Sequence, residues 1–191
     1  PASAILLEIP LDFLSLKMLG RKTQPQEILT QASFVKGLLR LISRKPERDT
    51  IAIKRNEEIA KEDSLPFNAF WRNGRDDLIL TVMTNYFGAM RDTFPDQWDY
   101  KAYLPKDRQD TTPTPVLRRT VGYEALMRVL VGIWPEVRTK TRIDHAYFME
   151  RTNQFKENSR NISLTTEYFG SSSADAARLA NIFLTGAEAS D

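Results

Sequence analysis

Between Asp76 and Thr93 the apolar residues Ile79, Val82, Met83, Tyr86, Phe87 and Met90 return every three or four positions, the period of one face of an α-helix. A stripe of that length must be buried against another element, so it commits the chain to a core of helix packed on helix. Asp76 and Asp77 suit the N-terminus of such a helix, where carboxylates meet the positive end of its dipole, and Pro95 stands just past its end. The same period recurs at Leu126, Val129, Leu130 and Ile133, with Thr120 placed to cap that helix and Pro135 expected to terminate it. Upstream, Ile28, Leu29, Phe34, Val35, Leu38, Leu39 and Ile42 predict a helix that opens near Pro25 and stops before Pro46.

The other segments are read from the same signals. Residues 3–19 are apolar but broken by Glu8, Pro10, Asp12 and Lys17, which argues against a signal or membrane segment and for a core helix, kinked or split at the proline. The charged stretch 47–64, with Ile51, Ile53 and Ile59 as its apolar anchors, fits a solvated helix and an ordered loop equally well. Three prolines in 99–116 predict a long surface connection. Helices are expected at 143–157 and 174–184, the second announced by Ser171, Ser172, Ser173 and the early carboxylate of Asp175. The expectation is a single helical domain over 1–191, with 158–191 as a C-terminal extension carrying the last helix. Its fold class is all-α or nearly so, an orthogonal bundle of about five to seven helices with 76–93 and 120–134 at its centre. A first residue of Pro1 in place of Met leads us to expect a processed product or a fragment of a longer protein.

Chemistry is sparse. The chain has no cysteine, which removes disulfides, thiolate nucleophiles and cysteine-held metals and makes a reducing cytoplasm its natural home. With His145 as the one histidine, neither a histidine pair nor a di-iron helix motif can be built within one chain. Asp144 and His145 are neighbours that project about a third of a turn apart, so His145 reads as an ordinary structural or surface residue. There is no phosphate loop, dinucleotide fingerprint, nucleophile elbow or zinc helix. The adjacent carboxylates Glu57-Glu58, Glu62-Asp63 and Asp76-Asp77 read as solvated faces and helix starts. No enzyme activity, metal or cofactor is expected. Tyr86 and Phe87 read as core, and Trp98 and Trp134 as rings closing the core at helix ends.

Charge balance does not choose a partner, because 27 basic against 25 acidic side chains leave a net charge of +2. Local grouping says more. Arg118 and Arg119 adjoin, and Arg138, Lys140 and Arg142 alternate with threonines, without acidic residues between them. Such groups suit phosphate contacts, with threonine hydroxyls adding hydrogen bonds, and suit a merely solvated surface as well. The helix between the two groups, 122–134, spans roughly 20 Å.

One resemblance bears on function. Asn85-Tyr86-Phe87, then Phe94-Pro95-Asp96-Gln97-Trp98, then Thr120-Val121-Gly122-Tyr123-Glu124-Ala125-Leu126 resemble the C-terminal helical part of DGQHR-domain proteins in order and spacing. Gln31-Ala32-Ser33 and Pro66-Phe67 are similar to the region upstream. The defining Asp-Gly-Gln-His-Arg string is absent. The resemblance, which runs from about residue 27 to 134, implies a non-enzymatic DNA-associated or regulatory module of a DNA modification, restriction or defence system. DNA or protein subunits of that system would be its partners, with no membrane, and Arg118, Arg119, Arg138, Lys140 and Arg142 are the candidate nucleic-acid contacts. The alternative is a helical protein-interaction scaffold without nucleic-acid contact.

Overall fold

The strongest apolar periods give the longest helices, and in a computed structural model, which describes residues 29–98 and 114–187 and the backbone of Leu16 and Lys17, these form an all-α bundle. A two-residue strand β1 (Leu16–Lys17) pairs in parallel with β2 (Leu29–Thr30). The helices are α1 (Gln31–Ile42), α2 (Pro46–Lys54), α3 (Asn68–Arg72), α4 (Asp76–Thr93), α5 (Pro95–Trp98), α6 (Thr120–Val137), α7 (His145–Asn158) and α8 (Ser173–Thr185). These eight, counted among the described residues, exceed the expected number because α3 and α5 are single short turns.

Several boundaries differ from the sequence reading, each for a local reason. Thr30 is extended and its side chain accepts from the Ser33 amide at 3.0 Å, so α1 begins at Gln31 rather than near Pro25. The helix expected over 3–19 lies outside the described residues except at Leu16 and Lys17, which are strand. Thr120 is the first residue of α6, not its cap; Arg119 holds the cap position. Nor does Pro135 end α6, which runs on to Val137. The lost amide bond would have gone to the Val131 carbonyl, and Val131 and Pro135 both lie on the exposed side of the helix, where water can serve that carbonyl. The charged stretch resolves into α2 followed by loop, and its supposed anchors Ile51 and Ile53 are half exposed while Ala52 is buried. Residues 99–113 of the expected surface connection lie outside the described residues, but Val116 is fully buried and its amide bonds the Leu164 carbonyl at 3.1 Å.

One continuous core joins these elements. Eleven of the 18 residues of α6 are buried, which puts that helix at the centre. It packs most extensively against α8 and also against α1, while α4 packs against α7. All six apolar residues of the α4 stripe are buried. Tyr86 donates from its hydroxyl to the Leu126 carbonyl at 2.9 Å, and the Phe87 ring stacks on Tyr123 at 6.0 Å, so α4 joins α6. Trp134 closes the core edge-on to Phe67 and Phe70. The expected C-terminal extension contributes Leu179, Ile182 and Phe183 to this same core. α8 starts with a capping box, Ser172 with Asp175, and ends at Gly186 with φ of 72°. No helix among the described residues is long and apolar enough to cross a membrane.

Candidate functional site

The two basic groups sit at opposite ends of α6, whose 18 residues separate them by about 27 Å. Arg118 is not a surface residue. It is 8% exposed, and its Nη1 donates to the Trp98 carbonyl at 3.0 Å. Arg119 is exposed beside it. At the far end Arg138, Lys140 and Arg142 are all exposed, but each is engaged. Arg138 donates to the Asp63 carbonyl at 3.3 Å. Lys140 lies 3.8 Å from Glu136, one turn before it, and over the Tyr147 ring at 5.9 Å. Arg142 is paired with Asp144. The Thr139 hydroxyl is used at the helix end, donating to the Glu136 carbonyl at 2.7 Å. The fold therefore brings acidic partners to a group that has none inside its own run of sequence, and splits the four exposed cations between two ends of a helix.

Asp144 and His145 do not act on each other. Asp144 caps α7 by accepting from the Tyr147 amide at 3.0 Å, while His145 Nε2 faces Asp92 of α4 at 3.0 Å on the surface. Among the described residues no three acidic or histidine side chains gather as a metal site would require.

A different place has more structure. On α1, Ser33, Lys36, Gly37 and Arg40 follow helical spacing along the side away from the buried Phe34 and Leu38. On α6, Thr120, Glu124, Met127, Arg128 and Val131 form the facing ridge. The helices touch where Gly37 admits the Tyr123 ring. A Cβ on Gly37 would stand 2.4 Å from Tyr123 Cε1, and the Tyr123 hydroxyl donates to the Phe34 carbonyl at 2.8 Å. Beside this contact a groove of about 530 Å³ stays open, within the size range of ligand sites. Leu41, Leu65, Met127 and Val131 give it an apolar floor, and Lys36, Arg40 and Arg128 give it a cationic rim.

Glu124 organises the rim. It accepts from Arg40 at 2.8 Å, from Arg128 at 3.0 Å and from the Ser173 hydroxyl, at the start of α8, at 3.2 Å. Burial pushes its carboxyl pKa up, but the hydrogen bonds from Arg40, Arg128 and Ser173 outweigh this and hold it below the usual range. Arg128 also donates to Ser173 at 2.7 Å, while its buried Nε has no hydrogen-bond partner among the described residues. Lys36 is exposed and takes part in no ion pair with the described residues. The Tyr123 phenol is raised well above its ordinary value by burial. The carboxylate is thus held charged and engaged by three partners, and the phenol is held neutral.

Sequence reasoning missed this groove. The signals were Gly37 inside an otherwise well-formed helix, the Lys36 and Arg40 pair one turn apart on its outer side, and Val131 lying off the apolar stripe of α6. Comparison with known protein families, characterised proteins and solved structures finds no match for the chain.

Proposed function

We propose that this chain is a binding module that holds a segment of a partner protein in the groove between α1 and α6. The observation that carries this reading is the groove itself: the exposed Val131 and the partly buried Leu65 leave apolar surface open beneath a charged rim, over the buried Leu41 and Met127, on the helix with the most buried residues among those described. Val131 is 36% exposed at its edge, so Val131→Asp can disturb binding without disturbing the core. The test is to purify the full chain and its Val131→Asp variant from their own cells under nuclease treatment and identify what accompanies each. A protein that survives nuclease treatment and is lost from the variant is expected. Retention of that protein by the variant, or recovery of DNA alone, would overturn the reading.

A second reading, a DNA-associated module of a modification or defence system, is favoured by the exposed turn carrying Arg138, Lys140 and Arg142 and by the likeness to DGQHR-domain proteins. Duplex binding measured over several salt concentrations tests it. Replacing all three residues by alanine should lower the log–log salt slope by about one for each phosphate that is no longer neutralised. Equal affinity and equal slope would exclude that surface. A reducing cytoplasm as the site of action rests on the cysteine-free composition alone.

A further inference from the structure

We infer that the occupant of the α1–α6 groove is an acidic amphipathic helix of a partner protein, with apolar anchors on Leu65 and Val131 and carboxylates facing Lys36, Arg40 and Arg128. This rests on the binding-module reading and adds the chemistry of the partner. Along α6 the groove is bordered by Glu124, Arg128 and the exposed Val131 over about 10 Å, or two helical turns, with the partly buried Leu65 opposite and Tyr123 and Met127 buried beneath. Lys36 and Arg40 run alongside on α1, about 6 Å apart. A helix laid in such a groove presents anchors at i, i+3 or i+4, and i+7, which matches a groove of two turns.

Three cations and a single carboxylate line the rim, and Glu124 answers both Arg40 and Arg128 at once. Lys36 is left without an acid among the described residues, and Arg40, half exposed, can turn from Glu124 to an incoming carboxylate while Arg128 and Ser173 continue to satisfy Glu124. The excess of two positive charges suits carboxylates flanking an apolar face and repels a basic segment. A nucleic-acid backbone would gain nothing from the apolar floor, whereas an amphipathic helix uses floor and rim together.

The test uses the full chain and two synthetic amphipathic peptides of about 16 residues, long enough to hold helical structure. They share the same leucine face and differ in carrying glutamates or lysines beside it. Fluorescence anisotropy should show the glutamate peptide binding at least about tenfold more tightly than its lysine twin. Lys36→Glu, an exposed substitution checked for unchanged melting, should weaken the glutamate peptide by about five- to tenfold and narrow the preference. Val131→Asp should weaken both peptides. If the lysine peptide binds as tightly, or Lys36→Glu changes nothing while Val131→Asp still weakens binding, the acidic occupant is overturned and the groove reading stands. Competition of the glutamate peptide by duplex DNA at the same residues would overturn it in favour of nucleic acid. Binding of neither peptide also overturns it, and the groove reading falls with it if Val131→Asp still retains the co-purifying protein.

Discussion

On its flank towards α8, α6 meets Leu179, Ile182 and Phe183 at 0 to 1% exposure, and Gly132 lets Leu184 approach so closely that a Cβ there would lie 2.7 Å from the leucine Cδ1. On its flank towards α1, the same helix is held by the Tyr123 ring against Gly37 and by the Arg40–Glu124 pair spanning the gap, with Arg128 bracing Glu124 from one turn along α6. Interdigitated apolar side chains fill most of the α8 flank, as interiors do, and leave a smaller pocket of about 390 Å³ beside Gly132, Ile133, Phe183 and Leu184. Long charged side chains fix a separation without filling it. The second flank can therefore be as firmly placed as the first and still keep a groove.

The contrast can be broken most severely on the more tightly packed side. Phe183→Ala should cost about 3–5 kcal/mol in urea unfolding, because a fully buried ring stacked near Phe155 and Phe94 leaves a cavity that its neighbours cannot fill. A loss below about 1 kcal/mol would mean that this flank is as open as the other. Gly37→Ala comes next, at about 1–3 kcal/mol, since the new methyl must displace a tyrosine ring pinned by its bond to Phe34. Near-UV circular dichroism should register the displaced Tyr123, and an unchanged spectrum would reject the close approach of ring and glycine.

The bridging network should matter less and should depend on pH. Because Glu124 titrates lower in the folded chain than when unfolded, its contribution is fully present above the unfolded value of about 4.3 and is lost as pH falls through the folded value. We expect Glu124→Gln to cost on the order of 1 kcal/mol at neutral pH, a modest figure because the rim touches water, and the difference from the parent to shrink below about pH 4. A constant difference down to pH 3 would show that the carboxylate charge is not what holds the rim. Smallest of all, Val131→Ala at the groove edge should change stability by less than about 0.5 kcal/mol, and a larger loss would mean that Val131 is covered.

The tightly packed parts were the legible ones. In α4, local spacing named six of the seven buried apolar residues, all but Ala89, and both ends, and at α8 Ser172 and Asp175 announced the cap, because periodicity and capping are written within a few neighbouring positions. The groove is a volume between helices. Its defining pair, Arg40 and Glu124, is 84 residues apart, so no local pattern contains it. The basic groups failed for a related reason. Adjacent residues diverge in a folded chain, which buries Arg118 while exposing Arg119, and the carboxylates of Glu136 and Asp144 reach Lys140 and Arg142 only once the end of α6 and the cap of α7 are in place. Pro135 was misplaced because a proline near a helix end, on its solvent side, interrupts less than one in the interior.

The central claim is that the partner segment binds α6 on its α1 flank and not on its more tightly packed α8 flank, and methyl-resolved NMR of the full chain titrated with the glutamate peptide tests it most directly. The methyl signals of Met127, Val131, Leu41 and Leu65 should shift in a saturable way while those of Leu179 and Ile182 hold still, as expected of an occupied groove and an unoccupied flank. Saturable shifts at Leu179 and Ile182 with none at Met127 and Val131 would contradict it.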